Sequence, residues 1–156
     1  MIEIKTFEKH LLALELLRRH ALIAIIHEVT DIPIKVLRAT YKKMHGHSSQ
    51  RGKPKNSTRG LTRTIKAYKE ATLFAVYFKT VNSEISESQI QKVIIAFDAY
   101  KELFPTSRLD FSAAWVIARE MQNEIISLMK CTCGAAILIN AREDLNDRCE
   151  ICKTSI

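Results

Sequence analysis

The sequence predicts a mostly α-helical protein, a five-helix domain with an amino-terminal helix-turn-helix, closed by a small cysteine-bound module at the carboxyl end. Three observations carry this. Apolar residues make up 47% of the 156 positions, enough to bury a core and too many for a disordered chain. Only four glycines and three prolines interrupt the sequence, which excludes a turn-dense β sandwich or barrel. Apolar positions also recur at helical spacing along most of the chain.

The first helix is expected from Phe7 to Val29. Its leucines and isoleucines, from Leu11 to Ile26, fall on nearly every side, so the helix is either central to its own domain or covered partly by another subunit. Thr30 and Asp31 are natural caps for a second helix, with Pro33 in its first turn. There Ile34, Leu37, Tyr41 and Met44 follow the spacing of a buried stripe, Lys35, Arg38 and Lys42 share another face, and Gly46 ends the helix. Two helices joined by a short capped turn form a helix-turn-helix pattern. The segment from His45 to Arg59 is polar and basic and reads as a flexible loop. A third helix is expected from Thr58 to Lys79, with Leu61, Ile65, Tyr68, Thr72 and Ala75 on one stripe. A fourth opens at Ser86 and Gln89, buries Ile90, Val93, Ile94 and Phe97, and stops before Pro105. The fifth, from Asp110 to Met129, carries Phe111, Ala114, Trp115, Ala118, Met121, Ile125 and Leu128 at core spacing. No internal repeat is visible.

The net charge of +7 is unevenly placed. Between Asp31 and Lys69 eleven basic residues face one acid, a local +10, while the remainder sums to −3. A basic segment on a mildly acidic body is the pattern of a phosphate-binding surface. A groove-reading helix beside a flexible basic loop suits double-stranded DNA: Lys35, Arg38 and Lys42 toward the major groove, and Lys43, Arg51, Lys53, Lys55 and Arg59 toward phosphates or the minor groove. The other reading is a zinc-braced interaction module whose basic loop binds an acidic partner.

All four cysteines lie in the last 26 residues, as Cys131-Thr-Cys133 and Cys149-Glu-Ile-Cys152 with fifteen residues between the pairs. Four thiols in two close pairs match a closed structural zinc site holding one ion. A redox pair at Cys149 and Cys152 is the alternative, but its βαβ context is missing. Ala135 to Ile139 reads as a short strand and Arg142 to Asp147 as a polar returning turn. So small a unit has no core of its own, and metal binding would supply its folding energy. The expected division is therefore a helical DNA-binding and oligomerisation domain over 1–130 and a zinc module over 131–156. With four thiolates and one zinc the module carries about −3, so it suits bracing or protein contact better than phosphate.

Several classes are excluded. The longest apolar stretches fall far short of the ~20 residues that cross a bilayer, and the amino terminus lacks the pattern of a secretory signal. The reading is a cytoplasmic protein. Motifs for zinc proteases, hydrolases and phosphate loops are absent. A zinc deaminase is also excluded, since Glu28 directly follows His27 and Glu150 sits inside a cysteine pair. His45 and His47 read as solvent-exposed or phosphate-adjacent. An enzyme is not expected.

Leu37, Tyr41-Lys42 and Gly46, then Gly52 and Ser57, Val93-Ile94, Ala96-Phe97, Pro105, Ala114-Trp115 and the terminal cysteines occur in an order that resembles the FlhC family. This family is the C subunit of the bacterial flagellar master transcriptional activator. The similarity spans residues 11–152. It implies a helical subunit that joins a D-type helical partner in a hetero-oligomer, binds promoter DNA and recruits RNA polymerase, with the cysteines holding a structural zinc. Cys133, Cys149 and Cys152 match the family's ligands, and Cys131 is displaced by one position. The chain stops four residues after Cys152, without the longer basic tail of flagellar members. Relatives on mobile elements activate conjugative transfer genes, so either regulon is expected.

Overall fold

The computed structural model describes residues 3–142, 145 and 148–156. It is mostly helical, with six helices among the described residues where the sequence predicts five, and one two-stranded hairpin. The chain forms two compact units. One reaches to Pro54 and takes in Asp110–Ser112, and the other holds Lys55–Leu109 and Ala113–Ile156.

In the first unit α1 (Ile4–Arg18) packs on α2 (Ile23–Thr30) and α3 (Ile34–His45), and α2 packs on α3. Leu16, Leu17, Ile25, Ile26, Leu37 and Tyr41 form its core. The single helix expected over 7–29 is broken because His20 adopts the left-handed conformation (φ +56°). The His20 N–H donates to the Leu17 carbonyl and the Ala21 N–H to the Leu16 carbonyl, each at 3.1 Å, which closes α1 as a Schellman motif. The Leu22 N–H then turns to Ser112 Oγ at 3.0 Å.

Thr30 and Asp31 do not cap α3 as expected. They finish α2: Thr30 donates its hydroxyl to the Ile26 carbonyl and accepts the Ile32 N–H, and Asp31 takes the left-handed position at φ +59°. Pro33 stands at the start of α3. Of the stripe predicted on α3, Leu37 and Tyr41 are buried, while Ile34 and Met44 lie nearer solvent at the helix ends. Gly46 ends α3 as expected, at φ +76°, a conformation that glycine adopts without a side-chain clash.

In the second unit a 3-10 turn, Thr58–Leu61, precedes α4 (Ile65–Glu84), so the helix expected from Thr58 begins later. Thr64 caps it, accepting the Ala67 N–H. Ser88, two residues beyond the expected Ser86, caps α5 (Gln89–Leu103). Phe74, Phe78, Val93, Phe97 and Tyr100 are buried along α4 and α5, which pack together, whereas Ile65 is exposed. From Ala113 onward α6 (Phe111–Gln122) also belongs to this unit.

The predicted fifth helix stops seven residues short of Met129. Glu124 is left-handed (φ +55°), its N–H reaches the Met121 carbonyl and the Ile125 N–H the Glu120 carbonyl, a second Schellman closure. The chain then extends as strand β1 (Ile126–Lys130), paired antiparallel with β2 (Ala136–Asn140), Leu128 opposite Leu138 and Lys130 opposite Ala136. The strand expected at 135–139 is thus found, moved by one residue. The returning turn expected over 142–147 falls mainly on residues 143, 144, 146 and 147, which lie outside the described residues.

Candidate metal centre and nucleic-acid interface

The first cysteine pair occupies the turn of the hairpin. Because Lys130 pairs with Ala136, residues 131–135 must reverse the chain. The Cys131 N–H donates to the Ala135 carbonyl and the Gly134 N–H to the Cys131 carbonyl, both at 2.8 Å, with Gly134 at φ +89°. The second pair sits in a carboxyl-terminal turn closed by Cys149 N–H to Thr154 O (2.9 Å) and Lys153 N–H to Cys149 O (2.8 Å). An isolated bridge joins Arg148 to Ser155.

The two turns bring all four sulfurs within 4.8 Å of one another. Cys131 Sγ lies 3.5 Å from Cys152 Sγ, and Cys133 Sγ 3.7 Å from Cys149 Sγ. These separations are far longer than the ~2.05 Å of a disulfide. They fit a tetrahedron of thiolates around one ion, where a metal–sulfur distance of about 2.3 Å sets sulfurs about 3.8 Å apart. Each close contact takes one sulfur from each turn, so a bound ion would tie the tail to the hairpin.

The surrounding dipoles prepare the thiols unequally. Thr154, through its hydroxyl and backbone, holds Cys152 down to about 6. The Cys152 and Ile151 backbone N–H groups lower Cys149. For Cys133 the Ala135 N–H favours the thiolate, but desolvation and the other three thiols together raise it to about 11. Metal binding must therefore displace the last protons with the ion's own charge.

A tyrosine fixes this hairpin to the helices. The Tyr68 hydroxyl, on α4, donates to the Leu138 carbonyl at 2.8 Å and accepts the Leu138 N–H at 3.1 Å, satisfying both outward groups of a buried residue at the edge of β2. Burial raises the Tyr68 pKa against that carbonyl bond.

The eight cations singled out in the sequence are all exposed. In the first unit, Gly46 turns the chain so that Ser48, Ser49 and Arg51 join Arg38, Ala39 and Lys42 around a hollow of about 240 Å³. The carboxyl end of α3 carries a negative partial charge, which Lys42 and Lys43 outweigh. In the second unit Lys55, Asn56, Ser57, Arg59, Gly60 and Arg63 line a hollow of about 600 Å³. Lys35, Arg38, Lys42, Lys43, Arg51, Lys53 and Lys55 have no ion-pair partner among the described residues.

Sequence reasoning missed Ser48, Ser49 and Arg63 as members of these hollows. The interval of four from Arg59 to Arg63 was the available signal for the last. The whole basic segment also reads as a flexible loop, whereas its second half is anchored. The Thr58 N–H donates to Oε2 of the buried Glu120 at 2.9 Å, and Arg119, stacked over Trp115 at 4.8 Å, reaches the Asn56 carbonyl. Of His45 and His47, read as solvent-exposed or phosphate-adjacent, His47 is exposed and His45 is half-buried. His45 Nε2 meets the Leu17 carbonyl at 3.0 Å.

The family model described as flagellar transcriptional activator (FlhC) matches residues 3–155, nearly the whole chain. The chain belongs to the FlhC family. This is a family of transcriptional activators, not of enzymes. The match confirms the resemblance carried by the motifs from Leu37 to Cys152. No individually curated protein matches the chain. No helix among the described residues is long and apolar enough to cross a membrane.

Proposed function

We propose that this FlhC-family chain is the DNA-binding subunit of a cytoplasmic hetero-oligomeric activator. It acts with a D-type helical partner and brings RNA polymerase to flagellar or conjugative-transfer promoters. The observation that carries DNA binding is the set of six exposed cations of the first unit, Lys35, Arg38, Lys42, Lys43, Arg51 and Lys53, on and just after α3 and without ion-pair partners among the described residues. An acid-rich surface partner would neutralise them equally well. Hydroxyls and guanidinium groups lining the two open hollows favour a nucleic-acid backbone. The α2–α3 pair acts as the helix-turn-helix, with Lys35, Arg38 and Lys42 toward the major groove and Lys43, Arg51, Lys53, Lys55 and Arg59 on phosphates.

One structural zinc, held by Cys131, Cys133, Cys149 and Cys152, braces the module of 131–156 against α4. The soft, closed four-sulfur set favours zinc, with iron as the competing occupant. Binding to promoter fragments across a salt series tests the reading. Lys53→Ala should weaken all duplexes alike and flatten the salt dependence by about one unit in log–log slope. Arg38→Ala should narrow the gap between promoter and random sequence. Variants indistinguishable from the wild type would leave the acidic-partner reading in its place.

A further inference from the structure

One face of α1 is already spent: Ala13, Leu16 and Leu17 are buried in the first unit. Its other face carries Ile4, Phe7, Leu11 and Leu14, at 75%, 54%, 46% and 37% exposure. Their intervals of three, four and three residues are the a and d positions of two successive heptads. An apolar seam left open on a helix whose core face is complete marks a contact surface.

The seam's flanks indicate what covers it. With Ile4 at an a position, Glu3 falls at g and Glu8 and Glu15 at e. Glu15 is engaged by Arg19 at 2.7 Å, while Glu3 and Glu8 have no ion-pair partner among the described residues. A second copy in parallel would set Glu3 against Glu8, and in antiparallel would set glutamates at e against each other, which is destabilising.

We propose that Ile4, Phe7, Leu11 and Leu14 form the seat for one helix of a different protein, apolar along its own a and d positions and basic at the flanking ones. This deepens the reading of a helical partner by giving that partner a seat and a chemistry, and it depends on that reading only for the partner's existence.

The test uses the full chain loaded with zinc and two labelled helical peptides of about three heptads, identical at a and d, one with lysine and one with glutamate at e and g. Lysines on both flanks keep the first peptide from pairing with itself. The lysine peptide should bind at least about tenfold more tightly than the glutamate peptide, Leu11→Glu should abolish its binding, and Leu73→Glu, on an exposed face of α4, should not. Leu11 is half exposed, so circular dichroism should find that variant folded. Equal binding of the two peptides, binding of neither, or binding unaffected by Leu11→Glu overturns the proposal. A dimer in sedimentation that Leu11→Glu dissolves overturns it in favour of a second copy. A D-type subunit that joins wild type and Leu11→Glu alike leaves the partner reading standing and removes this seat.

Discussion

Replacing Tyr68 with phenylalanine removes one oxygen atom and leaves the ring, so the side-chain packing on α4 is kept. That oxygen is hydrogen-bonded to both the carbonyl and the N–H of Leu138, a residue only 1% exposed. Each buried backbone group left without a partner costs about 1–3 kcal/mol. With both orphaned together, and some recovery by a water at the vacated position, Tyr68→Phe should destabilise the second unit by about 2–4 kcal/mol. Urea unfolding of the metal-loaded protein gives the free energy, and amide exchange locates it. Protection of the Leu138 N–H should collapse while the amides of α3 keep theirs. A loss below about 0.5 kcal/mol with Leu138 still protected would refute the claim that the hydroxyl joins the hairpin to the helix.

The same geometry predicts three further outcomes. Cys149→Ser should abolish metal binding, read by mass spectrometry under native conditions, and unfold the carboxyl-terminal turn; an ion retained at unit stoichiometry would show that four thiolates are not required. Glu124→Gly should stabilise the chain by about 1 kcal/mol, because the position is left-handed and glycine removes the side-chain penalty; an unchanged unfolding midpoint would remove strain from the account of this helix end. Desolvation, with the fields of His45 and His47, lowers the His20 pKa below 6.5. Below that value the unfolded chain binds the proton first, so the contribution is present above pH 6.5 and lost as pH falls through the folded value. Unfolding midpoints should thus drop on acidification below 6.5, and less steeply in His20→Asn, which keeps a side chain tolerant of the left-handed turn.

Much of this was legible in the sequence, because periodicity and cysteine spacing are local signals. The stripes of α3 to α6 name part of the core, Leu37, Tyr41, Tyr68, Val93, Phe97, Phe111 and Trp115 among it, but not Phe74, Phe78 or Tyr100, and the two cysteine pairs name the candidate metal site. The two largest errors have one cause. Helix ends announce themselves through glycine at the left-handed position, as Gly46 does, but His20 and Glu124 hold that position instead. The chain therefore reads as continuing helix through residue 29 and again through residue 129. Long-range anchoring is invisible for another reason. Glu120 fixes Thr58 across 62 residues, and no local pattern links a buried carboxylate to one loop N–H. The seam on α1 was half visible: its apolar residues were evident, but which of them face solvent depends on α2 and α3 occupying the other side.

The hydrogen bonds that close the final turn, Cys149 to Thr154 and Lys153 to Cys149, together with the Arg148–Ser155 bridge, all run within residues 148–156. A bound ion would join this segment to the hairpin through the four sulfurs. A chelator that strips the ion should therefore act first on the protein's lifetime: the last nine residues become substrate for a carboxypeptidase while the helices are still folded. Trimming past Cys149 would remove two of the four donors for good, turning a reversible loss of metal into a permanent one.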